Sequence, residues 1–266
     1  SNAAGDGGSL TLTGDFVQVG EGGQLLATGS GQGGLVQVGG SWQNSDPRVR
    51  QASQTWMQPG SFVDASSTVA GDGGAVVIWS DVNNPLGGTV VEGTLLARGG
   101  TASGDGGRIE TSGAFLMAEP ELLDVTAANG LAGTWLLDPY NITIAAGAGA
   151  GDINPVPTGG GRLFESSASN SRVNSDDVEN QLRGGTNIEI ATGAGGAGGG
   201  NITWDTGASI DYSNKAASLT LDAHGYISLK SDITTGTGGL ILEASAGYVQ
   251  SDAISISLNG PLDIST

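Results

Sequence analysis

Two aspartates, Asp72 and Asp105, hold the same place in successive copies of the tetrapeptide GDGG, at 71–74 and 104–107. Stacked copies would bring their carboxylates together, where they repel unless a calcium ion or a water bridges them. In the competing reading each carboxylate hydrogen-bonds the amides of its own turn and faces water. Asp6 lies in a third GDGG at 5–8, but Gln32, in GQGG at 31–34, stands between it and Asp72. A different chemistry belongs to the segment SWQNSDPRVRQASQTWMQPG at 41–60, which carries Trp42, Arg48, Arg50 and Trp56. Aromatic rings beside guanidinium groups on an exposed loop favour a binding role. The alternative is a loop whose Trp side chains fold back over a strand edge. Asp138, in GTWLLDPYNITI at 133–144, reads as the corner between two strands, with Pro139 fixing the bend.

Much chemistry is excluded. The chain has one histidine, His224 in the turn DAHG, and no GxSxG elbow accompanies it, so a nucleophilic triad has no support. A single histidine also rules out His-based metal spacings, and with no cysteine there is neither a disulfide framework nor a thiolate zinc site. No GK[ST] follows a Gly-rich turn, and no tandem calcium nonapeptide occurs. The net charge of −18 repels phosphate backbones and argues against a nucleic-acid partner. No run of 18 apolar residues is present to span a membrane. Asn141 and Asn201 begin N-x-T sequons, as acceptors for sugar or as plain turn residues.

The elements that must position these groups are short. Glycine numbers 49 of 266 residues, well above the roughly 7% of ordinary chains, without a collagen period. Each tetrapeptide is followed by a strand-like run: SLTLTG, LVQVGG, AVVIWS and RIETSG. Further runs such as FVQVG at 16–20 and QLLATG at 24–29 lie between, giving three short strands per repeat. No such repeat can bury its own face, which predicts a stacked all-β solenoid, a right-handed parallel β-helix with glycines at the corners. The longer spacing between the second and third tetrapeptides places 41–60 as a surface loop insertion. Regular coils are expected over 4–144, and a continuing β-helix over 145–266 with Gly/Ala-rich turns at 145–151 and 191–200. One short helix is expected near 176–183, with Asp176 as its cap, Glu179 as the capping-box partner and Gly184 as its stop. Ser1-Asn2-Ala3 reads as the remnant of a cleaved tag on a piece cut from a longer protein.

GTWLLDPYNITI, with GDGGRIETSG before it and SDDVENQLRGGTNIEIAT after it, resembles the large exoproteins of bacterial two-partner secretion, similar to filamentous haemagglutinin. VVIWSD at 76–81 and LLARGG at 95–100 fit the same pattern, so the resemblance covers about residues 4–266. It implies a long right-handed β-helix, secreted through a dedicated outer-membrane transporter partner and displayed at the bacterial cell surface. It implies adhesion, aggregation, haem-source binding or toxin display, and it assigns no catalytic residue to Asp138. None of the motifs of the family's N-terminal secretion domain stands near the start. The expected partner is therefore a host or bacterial receptor or a glycan, met by a non-catalytic segment. A carbohydrate-active β-helix enzyme and a ligand-free spacer are the alternatives.

Overall fold

The computed structural model describes residues 5–147, 162–164, 171–193, 199–246, 249–252 and 254–265. The tag remnant at 1–3 and most of the two Gly/Ala-rich turns lie outside these residues.

The chain winds into stacked coils. The first holds β1 (Ser9–Leu12), β2 (Phe16–Val19) and β3 (Gln24–Leu26). The second holds β4 (Leu35–Val38), β5 (Gln54–Met57) and β6 (Phe62–Asp64). The third holds β7 (Ala75–Trp79), β8 (Gly88–Val91) and β9 (Thr94–Leu96), and the fourth β10 (Arg108–Gly113), β11 (Phe115–Ala118) and β12 (Leu122–Asp124). The fifth contains β13 (Thr134–Pro139), β14 (Ile142–Ala145), β15 (Arg172–Asn174) and the helix α1 (Ser175–Gly184). The sixth and seventh comprise β16 (Asn187–Thr192), β17 (Ile202–Trp204), β18 (Ile210–Asp211), then β19 (Leu219–Ala223), β20 (Ile227–Leu229) and β21 (Ile233–Thr234). The last strands are β22 (Leu240–Ala244), β23 (Val249–Ser251), β24 (Ile256–Ser257) and β25 (Leu262–Ser265).

Equivalent strands pair in parallel from coil to coil, so the molecule is a parallel β-helix. The first sheet runs β1-β4-β7-β10-β13-β16-β19-β22-β25 without a break. Alternation along these strands sends one column inward: Leu10, Val36, Val76, Ile109, Trp135, Ile188, Leu219 and Leu240 stack in register. These side chains form part of one continuous apolar core. Such burial is what stabilises strands of two to six residues that could not stand alone. Core tryptophans keep their indole N–H satisfied: Trp135 donates to Thr111 Oγ1 at 3.1 Å and Trp204 to the Ala208 carbonyl at 2.6 Å.

The corner before the first sheet explains the glycine pairs. A Cβ on Gly73 or Gly106 would overlap the carbonyl of Ala97 or Val125. On Gly74, Gly107 or Gly133 it would overlap the carbonyl of Gly34, Gly74 or Gly107 one coil earlier. Backbone therefore packs directly on backbone here, and the sequence can supply only glycine.

The fifth coil departs from the pattern. In the second sheet β15 enters between β11 and β14, although it follows β14 in sequence. It pairs Thr143↔Arg172, Ile144↔Val173 and Ala145↔Asn174 on one side, and Met117↔Arg172 on the other. The helix then replaces the third strand, with Val178 and Leu182 buried in the core. It separates the third-side sheet β12-β9-β6-β3 from β18-β21-β24 and joins them. Gln181 Nε2 donates to the Leu123 carbonyl at 3.1 Å, and Arg183 Nε to the Asp211 carbonyl at 2.9 Å. The cap is Asn174, whose side chain accepts from the Asp176 N–H, rather than Asp176 itself. Glu179 pairs with Arg183 at 3.3 Å, and the chain leaves the helix through Gly185 at φ 100°.

Candidate binding surface at the glycine corner

The GDGG acids form a ladder from coil to coil. Asp6 Oδ1 accepts the Gln32 N–H at 2.9 Å, and Gln32 Oε1 accepts the Asp72 N–H at 3.1 Å. Asp72 Oδ1 then accepts the Asp105 N–H at 2.8 Å, and Asp105 Oδ1 accepts the Leu131 N–H at 2.8 Å. Each side chain thus satisfies an amide of the next coil, where the alternative to a calcium-bridged pair had placed the amides of its own turn. Gln32 fits the series because it offers the same carbonyl acceptor. Asn141 and Asn201 repeat the device at another corner: Asn141 Oδ1 accepts the Asn201 N–H at 2.8 Å, and Asn201 Oδ1 the Tyr226 N–H at 3.1 Å. The sequon asparagines are coil fasteners in this fold.

Asp72 and Asp105 also line a shallow trench of 580 Å³ floored by glycine backbone, with Arg108 and Leu131 on its walls. One oxygen of each carboxylate is already held by an amide. Calcium takes roughly six to eight oxygens. Among the described residues no group of three or more His, Cys, Asp or Glu is placed to hold a metal ion. The two carboxylates by themselves supply only part of that shell.

The insertion after β4 lies over the outward face of the first sheet. Trp42 packs against Arg108, with the guanidinium carbon 4.2 Å from the ring centroid, so it adjoins the trench through that arginine. The Gln43 N–H donates to both oxygens of Glu110, at 2.9 and 3.2 Å, and Trp79 Nε1 donates to Gln51 Oε1 at 3.1 Å. Gln43 and Asn44 adopt positive φ of 44° and 51°, a strain these contacts hold in place. Arg48 projects into solvent and pairs with Asp46 at 2.8 Å, while Arg50 lies 3.6 Å from Asp15.

Trp56 requires a correction. It is not on the loop but in β5, only 5% exposed, with Nε1 donating to Glu92 Oε2 at 2.9 Å. Its ring joins Val90, Phe115, Met117 and Phe164 in a cluster on the outside of the second sheet. Phe164 is held there by Gln54, which donates to the Phe164 carbonyl at 2.7 Å and accepts the Leu163 N–H at 2.8 Å. The four loop residues therefore do not form one surface. Trp42 adjoins the trench, Arg48 and Arg50 stand apart in solvent, and Trp56 is covered.

Asp138 also moves. It lies within β13, opposite Ser112, and Pro139 still pairs with Gly113, so the turn comes after the proline. Its outward-facing carboxyl is pushed up to about 7 by burial, with Glu189 and Asp222 adding repulsion. Glu110, fully buried beneath the insertion, is pushed up to about 8 by burial, against the opposing hydrogen bonds from Gln43 and Ser112. Glu189 is raised by burial and by Asp222 and Glu243. This acidic face was legible in principle, because the outward positions of RIETSG, TWLLDP, NIEIAT, LTLDA and LILEA carry it. His224 is exposed in the turn after β19.

No protein-family model and no curated protein matches this chain. No helix among the described residues is long and apolar enough to cross a membrane.

Proposed function

We propose that this chain is a non-catalytic, contact-making segment of a secreted bacterial surface adhesin of the filamentous haemagglutinin-like kind. The observation that carries this reading is the first sheet, nine parallel strands in unbroken register fastened at the corner by glycine stacking and a side-chain ladder. A stack of this kind is a stiff rod whose outer surface repeats from coil to coil, suited to holding side chains toward a host or bacterial receptor or a glycan. The full-length protein would reach the cell surface through an outer-membrane transporter partner.

A second reading, a carbohydrate-active enzyme, draws on the raised carboxyls of Asp138 and Glu189 on one sheet face. Among the described residues the charged groups that act on Asp138 or feel it, Glu189, Asp222 and Glu110, are all acidic, so that face offers it no basic partner. Beads coated with the segment are expected to adhere to epithelial or bacterial cells above albumin-coated beads, and to leave acidic polysaccharides uncleaved. Adhesion no better than albumin, or release of unsaturated or reducing ends lost in Asp138→Asn, would sink the adhesin reading.

A further inference from the structure

The insertion after β4 is built as a separate piece. Its neck closes where the Ala52 N–H donates to the Gly39 carbonyl at 2.6 Å, so residues 40–51 form a loop whose two ends meet. Inside it the Asp46 N–H donates to Ser41 Oγ at 3.0 Å, and the Arg48 guanidinium gives Asp46 two hydrogen bonds, at 2.9 and 2.8 Å. Those bonds set the loop's own shape and do not attach it to the sheet. From Trp42 to Gln51 no residue is buried, so the loop adds nothing to the apolar core. It meets the sheet through Trp42 on Arg108, the Gln43 N–H on Glu110, and Gln51 Oε1 on the Trp79 indole. A segment with so little buried surface opens far more easily than the coils beneath it.

Under the loop the sheet is sealed. Val77 and Glu110 face outward in register and are 0% exposed, and Trp79 is 2% exposed. Leu136 follows them, and then Glu189, Thr220 and Ile241 continue the same outward column past the insertion, where they are only half-buried. The cover, not the sheet, therefore keeps Glu110 from water.

We propose that residues 40–51 are a pH-sensitive strap, closed over the first sheet in acid and lifted from it as pH rises, when Glu110 ionises and its carboxylate takes up water. Burial holds the closed-form carboxyl at about 8, against an ordinary value of 4.5. The Gln43 N–H of the loop, the Ser112 hydroxyl and Arg108 of the same strand favour the charged form, but burial outweighs them, and Asp138 of β13 adds repulsion. β7 faces Glu110 with uncharged Val77, and in the loop Arg48 and Arg50 stand in solvent with acid partners of their own, Asp46 and Asp15. The closed form thus keeps a proton that the open form has released, and opening becomes easier as pH climbs from the lower value to the higher. Opening also relieves the positive φ of Gln43 and Asn44. It bares Val77 and Trp79 on an otherwise acidic face. The device goes beyond the adhesin reading and does not depend on it.

The test is amide hydrogen exchange on the whole chain from about pH 5 to about pH 8.5, each rate divided by that of an unstructured peptide at the same pH. Protection of the Gln43 amide is expected to fall about a hundredfold across that range in the wild type. In Glu110→Gln, which keeps an acceptor and cannot ionise, it should change by less than about threefold. The core amide of Ile188, bonded to the Ser218 carbonyl at 2.9 Å, should stay at least about a hundredfold better protected than Gln43 at every pH. The strap is overturned if Gln43 protection does not vary with pH, if it falls equally in Glu110→Gln, or if Ile188 exchanges as fast as Gln43, since the whole stack would then be opening. Should the variant not fold, trypsin cleavage after Arg48 and Arg50 in the wild type decides, rated against a free peptide of residues 40–52 at each pH. The ratio must climb as pH rises, and a flat ratio rejects the strap.

Discussion

Gly107→Ala, the addition of a single methyl group, is expected to lower the melting temperature by about 10 °C. The new Cβ would fall on the Gly74 carbonyl oxygen, and on the Gly73 backbone beside it. Neither can yield as a flexible side chain would, because both belong to the neighbouring coil at the same corner. Relief requires the coils to part, which loosens the pairing of Arg108 with Ala75 and of Ile109 with Val76. A cost of about 3–5 kcal/mol follows from overpacking against fixed backbone, and roughly 2–4 °C of melting temperature is lost per kcal/mol in a chain of this size. Gly8→Ala is the control, since a Cβ there meets nothing within 4 Å. It should melt within a degree or two of wild type. Equal melting temperatures for the two variants would contradict the idea that direct backbone stacking holds the coils together.

Acidification should stabilise this protein, the opposite of ordinary acid denaturation. Glu110 has its carboxyl at about 8 in the folded state against 4.5 when free, and Asp138 at about 7 against 3.8. Both folded values are raised, so the folded state holds protons that the unfolded chain has released. Stability is then greatest near the unfolded values and falls as pH rises toward 8. Glu110 is fully buried, and its share of the loss between pH 5 and pH 8.5 is roughly 3 kcal/mol. Arg108 and the hydrogen bonds from Gln43 and Ser112 oppose the shift and limit it, whereas Asp138 adds to it. The melting temperature at pH 8.5 should lie roughly 6–10 °C below that at pH 5. Glu110→Gln keeps an acceptor for the Gln43 amide and removes the charge. It should match wild type at pH 5 and exceed it at pH 8.5. A wild-type melting temperature that climbs between pH 5 and pH 8.5 would refute this account of the acidic face.

The parts of the structure legible in the sequence are those that repeat. Glycine pairs ahead of short alternating runs predict stacked three-strand coils, because no other packing buries faces so small. The helix was legible from its capping-box spacing and from the glycine at its end, although its cap lies at Asn174 rather than Asp176. What escaped prediction depends on register between distant segments. Asp138 looked like a corner because Asp-Pro usually is one, yet pairing with Ser112 and Gly113 carries the strand through it. Trp56 looked like part of a loop because QTWM shows no alternation. In the structure all four of these residues are buried, one face by the core and the other by Phe164. The backward step of β15 has no repeat signature, since three residues, RVN, define it. The ladder role of Asp72 and Asp105 was hidden for the same reason. Only the coil above shows which amide each carboxylate holds.

The central claim is that these corner acids fasten coils and do not form a calcium site. It is tested most directly by thermal melting in millimolar calcium and in excess chelator, for wild type and for the double variant Asp72→Asn, Asp105→Asn. The asparagines retain the amide acceptors. All four melting temperatures are expected to agree within about 2 °C, given a ladder that neither gains nor loses a hydrogen bond. A wild-type melting temperature raised several degrees by calcium, restored by chelator and unresponsive in the double variant would contradict the claim.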